Sequence, residues 1–352
     1  MIDTLDVFYH FQNKHDYDLC YASIDQLSRV QGQALHKHEE KKAYITTAFS
    51  SFGVLQIAFC KTKYHRTCRI LLQPICLLYP NSHIRLAEEA DFAPVCHYFD
   101  KFMDIINKKC GDNILPPLRS WRVKRIDYAV NIATPYAVEY VRLFYAGAVP
   151  AGFTIHQRYA DSYYLSSKHG NINFYDKLRQ AHKKYGVDDG DIINEFPSGL
   201  CGILRLEFQC SSKYIQHLKE RYHLEDTTLP YLWSAEIAAK ELKKRVKSVI
   251  GKTPFCFYED CKEKLSRKYE NRTLSLCSQI VQLFRDHPRA NLNDVKDMLS
   301  ESSRQQFPLL LHKIRKAGVN PIPLESCCTP DNRVLEKVLD NPYQLIDCGN
   351  DY

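Results

Sequence analysis

A run whose side chains alternate between apolar and polar commits its backbone to a strand with one face turned inward, because successive residues of an extended chain point to opposite sides. Three runs alternate in this way. In "RIDYAVNI", Ile126, Tyr128, Val130 and Ile132 form the apolar face, leaving Arg125, Asp127, Ala129 and Asn131 on the other. In "LRLEFQC", Leu204, Leu206 and Phe208 go inward and Arg205, Glu207 and Gln209 outward. In "INFYDK", Ile172 and Phe174 go inward, leaving Asn173, Tyr175 and Lys177. Each run thus offers a polar face with one chemically useful group.

The surrounding chain sets these runs in a repeating grammar. Short β-type segments come first: "TLDVFYHF", "KAYITTAF", "GVLQIAFC" and "TCRILLQPICLLY". The segment "FAPVCHYFDKFMDIINKKCG" then has helical spacing and stops at Gly111, and a helix that can start at Thr134-Pro135 follows "RIDYAVNI". A second round brings the hairpin "SYYLSSKHGNINFYDK", the strand "GILRLEFQC" and the helix "SSKYIQHLKERY". Strands returning between helices predict an α+β fold with an antiparallel sheet and helices on one face. The repeated grammar suggests two similar halves, although no fixed sequence period marks a duplication. From about residue 226 the texture turns helical, which predicts a boundary between an α+β domain over 1–225 and a helical accessory or DNA-binding domain over 226–352.

Composition narrows the class. Apolar residues make up 45% and charged residues 25%, the balance of a folded globular chain. The 14 cysteines carry no repeated C-x-x-C, which fits reduced thiols, and Cys256 and Cys261 in "CFYEDC" lack both zinc spacing and a second pair. The opening "MIDTLDVFYHF" has none of the marks of a secretory signal, and no run approaches the length of a membrane span, so a cytoplasmic protein is expected. The net charge of +7 is concentrated in "LRSWRVKR" and in "AAKELKKRVKSVIGK", where Lys240, Lys243, Lys244 and Lys247 share one helical face opposite Leu242, Val246 and Val249. Such a stripe is commonly a solvated face; two basic clusters raise nucleic acid as a partner.

If the three alternating strands are neighbours, Asp127 and Glu207 can hold a divalent cation before Tyr175, with Lys177 two residues on. Hard oxygen ligands suit Mg²⁺ or Mn²⁺, which leave positions open for phosphate oxygens. A phenol with a pKa of about 10 is a weak nucleophile at neutral pH, so a cation or lysine must favour its anion. Attack on a phosphodiester by tyrosine conserves an ester bond, which allows later rejoining without ATP. The same pattern also suits an amphipathic sheet with polar residues facing water, and the residues alone leave both readings open.

"RIDYAVN", then "INFYDKLRQ", then "GLCGILRLEFQCSSKYIQHL" resembles the filamentous-phage replication initiators of the gene II/X type. More distantly, it is similar to the replication initiation factor family of rolling-circle plasmids. The opening "MIDTLDV" and the later "FPLLLHKIRKAGVNPIPL" also resemble the phage proteins. The resemblance implies a site-specific endonuclease that nicks one origin strand through Tyr175, becomes joined to the 5′ phosphate, and later rejoins the strand. It implies Lys177 beside the phosphate or tyrosinate, Asp127 and Glu207 as ligands of Mg²⁺ or Mn²⁺, and Arg125 and Arg205 on the DNA. Asn131 and Gln180 depart from the plasmid pattern, which often has acids there. Tyr163 and Tyr164 on the partner arm could serve as second acceptor, pack, or stack on a base. Origin DNA and a host helicase, polymerase and single-strand binding protein are the implied partners; the sequence holds no P-loop of its own.

Within the helical end, "NLNDVKDMLSESSRQQFPLLLHKIRKAGV" has the spacing of a helix-turn-helix unit, with Ser302, Arg304, Gln305 and Gln306 opening the second helix. A plain helical hairpin fits equally well. Two rival functions stay open. A tyrosine recombinase would use His312 and Arg315 of "HKIR" with Tyr343, and a DNA-binding regulator would need no cleavage chemistry at all.

Overall fold

The computed structural model describes residues 1–324 except 41, 81, 135, 160, 186–201, 254 and 289. In chain order the elements are β1 (Ile2–His10), α1 (Lys14–Val30), β2 (His36–His38), β3 (Ala43–Thr46), β4 (Val54–Lys61), β5 (Arg66–Leu72), α2 (Pro74–Leu78), α3 (Phe92–Cys110), β6 (Arg122–Ala133) and α4 (Ala137–Ala146). There follow β7 (Thr154–Tyr159), β8 (Ser162–Ser167), β9 (Gly170–Asp176), α5 (Lys177–Tyr185), β10 (Ile203–Ser211), α6 (Ser212–Tyr222), α7 (Leu229–Leu232) and α8 (Ala235–Ile250). The helices α9 (Tyr258–Ser266), α10 (Asn271–Asp286), α11 (Leu292–Met298) and α12 (Glu301–Lys316) complete the described chain.

The fold is α+β. Its antiparallel sheet has the strand order β2-β3-β4-β5-β1-β6-β10-β9-β8-β7. Read outward from the central β1 and β6, this order is 1-5-4-3-2 on one side and 6-10-9-8-7 on the other. Each half is thus a strand, a helix, then four strands of which the last returns beside the first, with α5 preceding the last strand of the second half.

The chain forms two compact units, neither a single run of sequence. The first comprises Met1–Val130, Lys168–Asn171 and Glu207–Ala238, and the second Asn131–Ser167, Ile172–Leu206 and Ala239 onward. In the first unit Ile2, Leu5, Val7, Ile57, Phe59, Ile70, Leu72 and Ile126 are buried. There α1 and α3 pack together, with α1 against β5 and α2 against β1. The helix α1 has no counterpart among the elements expected from sequence. Its start is nonetheless written in "NKHD", where the Asn13 side chain accepts from the Asp16 N–H as an N-cap. The helix α3 ends where expected, at Gly111 with a φ of 79°, a conformation open to glycine without a Cβ penalty.

In the second unit Phe144 of α4 stacks on Phe174 of β9, with ring centroids 4.0 Å apart and planes 5° from parallel. The helices α9 to α12 share an apolar core that includes Cys261, Ile280, Phe284, Val295, Phe307 and Ile314 and reaches Ala146 of α4. No described helix is long and apolar enough to cross a membrane.

Candidate active site

Three carboxylates meet in the first unit. Ligand atoms of Asp3, Asp127 and Glu207 all lie within 4.8 Å of one another, as in a cation site. Sequence pairing of Asp127 with Glu207 is therefore realised in space, and Asp3 joins them unforeseen. What brings Asp3 in is a bulge. Ile2 pairs with Tyr128 and Leu5 with Ile126, so three steps along β1 match two along β6. The extra residue lies at Asp3-Thr4 and breaks the alternation that would otherwise send those side chains to opposite faces. The "MID" opening held a carboxylate in the right strand, but register lay beyond the reach of sequence.

Each acid is held by neighbours. Asp127 is fully buried and takes a forked pair of hydrogen bonds from Arg125, Nε to Oδ1 at 2.7 Å and Nη2 to Oδ2. Burial pushes the Asp127 carboxyl well above its usual range; Arg125 opposes that rise, while Glu207 and Asp3 add to it. Glu207 Oε1 accepts from Gln209 Nε2 at 2.7 Å, and Gln209 Oε1 in turn accepts from Asn171 Nδ2 at 2.9 Å. This relay depends on a close approach of backbones. A Cβ on Gly170, whose φ is 147°, would lie 1.9 Å from the Gln209 carbonyl oxygen. Arg125 is 35% exposed, and the guanidinium expected on DNA is engaged by Asp127. On chemical grounds the donor set, three hard oxygen groups, fits a divalent cation such as Mg²⁺ or Mn²⁺.

Tyr175 belongs to the second unit. It is only 4% exposed, and its ring meets Tyr164 edge-on at 6.0 Å between centroids. Phe174, Tyr163 and Tyr145 group separately, so Tyr164 shares the Tyr175 side while Tyr163 is sealed in the core. The expected strand face Asn173-Tyr175-Lys177 is cut short, because β9 ends at Asp176 and Lys177 opens α5. Asp176 causes the change: its Oδ1 accepts the Arg179 N–H at 3.1 Å, the geometry of an N-cap, which turns the chain into helix. Buried Lys177 then donates from Nζ to Gln180 Oε1 at 3.1 Å.

Two residues expected on DNA have partners within the protein. Arg205 is fully buried rather than outward, and its Nε donates to Asn131 Oδ1 at 2.7 Å. Alternation misplaced it because residues 203–208 of β10 are buried on both faces. Arg304 spans the α11–α12 turn, with Nη2 donating to the Asp297 carbonyl at 2.7 Å. It ties two helices together, while Ser302, Gln305 and Gln306 beside it are exposed. On α8, Lys240 and Lys244 are exposed and Lys243 and Lys247 half-buried, opposite buried Leu242, Val246 and Val249 as expected. His312 and Arg315 lie on amphipathic α12, where Leu310 and Ile314 are buried, and Tyr343 lies outside the described residues.

No protein-family model and no curated protein matches the chain.

Proposed function

We propose that the protein initiates rolling-circle replication by nicking one strand of an origin and later rejoining it, in the manner of the gene II/X-type initiators its motifs resemble. The observation that carries this reading is the convergence of Asp127 and Glu207, two acids 80 positions apart in sequence, with Asp3. In this reading Asp3, Asp127 and Glu207 bind Mg²⁺ or Mn²⁺. The bound ion would neutralise charge on the phosphoryl oxygens.

Tyr175 supplies the nucleophile. Its Oη, having released its proton to solvent, forms a bond to phosphorus as the bond from phosphorus to the 3′ oxygen breaks. The products are a 5′-phosphotyrosine ester and a 3′ hydroxyl, the latter protonated by solvent and open to a host polymerase. Reversal by the 3′ hydroxyl of the displaced strand restores the phosphodiester. Lys177 balances charge on the phenolate, and Lys240, Lys243, Lys244 and Lys247 hold duplex phosphates. The protein acts in the cytoplasm with a host helicase and single-strand binding protein.

The burial of Tyr175 favours a second reading, a DNA-binding regulator without cleavage. Labelled single-stranded origin DNA incubated with the protein and Mn²⁺ separates the two. The nicking reading expects a covalent adduct that Tyr175→Phe cannot form. Binding with no adduct at any Mn²⁺ concentration supports the regulator.

A further inference from the structure

The mirrored strand order has a residue-level counterpart. Along the paired strands β1 and β6, Leu5-Asp6-Val7 matches Ile126-Asp127-Tyr128. Along β5 and β10, Arg69-Ile70-Leu71-Leu72-Gln73 matches Arg205-Leu206-Glu207-Phe208-Gln209, and along β4 and β9, Ile57-Ala58-Phe59-Cys60 matches Ile172-Asn173-Phe174-Tyr175. Burial follows the same alignment: Leu5, Ile70, Ile57 and Phe59 are buried, as are Ile126, Leu206, Ile172 and Phe174. The first half keeps the aspartate, but Leu71 stands for Glu207 and Cys60 for Tyr175. It has neither the second acid nor the phenol. Asp6 is instead consumed by Arg69, whose Nε donates to Oδ1 at 2.5 Å while Nη2 holds Oδ2.

What the first half has in exchange is rings and basic groups. Two and four residues beyond Asp6 come Phe8 and His10, where β6 carries Ala129 and Asn131. Phe8 is paired with Arg69 on β5 and with Arg122 on β6, so an arginine stands opposite it on each neighbouring strand. The Phe8 and His10 rings are 5.1 Å apart and the His10 and His65 rings 5.5 Å apart. A second register shift, where Asp6-Val7 faces Arg125 to Val123, makes Lys124 the extra residue of β6. Arg122, Lys124 and His65 are exposed and Phe8 and His10 half-buried. Burial, then His65 and Arg122, hold the His10 imidazole below its usual pKa, which keeps it a neutral ring at pH 7.

We propose that the first half of the sheet is a chemically silent copy of the half carrying Glu207 and Tyr175, turned to holding one strand of DNA. Bases stack on Phe8 and His10, and phosphates lie against Arg122 and Lys124. Sheet faces that carry rings between basic side chains are a usual platform for unpaired bases, since every base has a face to stack. From Asp3 to Phe8 the rise along β1 is roughly 17 Å, so the stacked bases lie several nucleotides from the carboxylate cluster. The choice of DNA over RNA rests on the nicking reading.

The test titrates the full-length protein into fluorescein-labelled oligo-dT in EDTA, where no metal-dependent cleavage can occur, and follows anisotropy. Phe8→Ala is expected to weaken binding by about 5-fold or more, with Phe8→Trp restoring it. Arg122→Ala and Lys124→Ala should each flatten the dependence of log affinity on log salt by about 0.7. Circular dichroism melting checks that each variant is folded, and exposed Arg122 gives an arm that does not depend on the sheet tolerating a lost ring. Wild-type affinity and salt slope in folded Phe8→Ala and Arg122→Ala, or no binding of oligo-dT by the wild type, would overturn the proposal. Binding through Phe8 in EDTA, with no covalent adduct when labelled single-stranded origin DNA and Mn²⁺ are supplied, would keep this track and sink the nicking reading. An adduct at Tyr175 that is indifferent to Phe8 and Arg122 would do the reverse.

Discussion

Replacing Arg125 by methionine removes the cation from a carboxylate that has no exposure to water. Asp127 loses two hydrogen bonds, one of them 2.7 Å long, and is left beside Asp3 and Glu207. Breaking a buried ion pair by deleting one partner costs about 3–5 kcal/mol, because the survivor remains buried and charged. Arg125 is 35% exposed, so water already screens part of the interaction, and the expected cost falls to about 2–3 kcal/mol. The methionine keeps most of the aliphatic volume, which confines the change to charge and hydrogen bonding.

Urea unfolding in EDTA, followed by circular dichroism, measures the cost for Arg125→Met, Asp127→Asn and the double variant. A coupling of at least about 1 kcal/mol is expected, since neutralising Asp127 removes the reason for needing Arg125. The pH dependence has a definite sign. A carboxyl whose folded pKa is raised costs stability above that value and nothing below its unfolded value of about 4. The deficit of Arg125→Met should therefore be widest at neutral pH and close on acidification. Mn²⁺ should narrow it too, by binding the folded cluster in place of the lost cation. Stability of Arg125→Met within about 0.5 kcal/mol of the wild type at pH 7, the range of an ordinary surface change, would refute the reasoning.

Two further outcomes follow from packing and thiol chemistry. Phe174→Ala removes a ring that is 1% exposed and stacked on Phe144, and should cost about 3–5 kcal/mol of unfolding free energy, read from the urea midpoint. Cys110 has its pKa lowered to about 6 by hydrogen bonding from Cys20, with the Ser23 hydroxyl 3.4 Å away. Its alkylation by iodoacetamide, followed by peptide mass spectrometry, should rise through about pH 6; a rise only above pH 8 would count against that thiolate.

The alternation in "RIDYAVNI", "INFYDK" and "LRLEFQC" determined three strands, their inward faces and the α+β class, because side-chain direction in a strand follows from local geometry alone. It also singled out Asp127 and Glu207, since an acid on an alternating strand is legible without knowing the neighbours. The places where it failed are those where the third dimension intervenes. Arg205 alternates outward, yet a strand covered on both faces has no outward side. Lys177 would continue β9, but the Asp176 side chain finds a helical N–H and ends the strand. Asp3 enters the cluster through one extra residue in β1, and register is a property of two strands rather than one. The repeated grammar suggested two similar halves, but which residues match took the third dimension for the same reason: they share a strand order and a face, while the sequence between them keeps no period. Which strands adjoin is decided by burying apolar surface across the whole sheet, and only that choice turns separate acids into a possible ion-binding group.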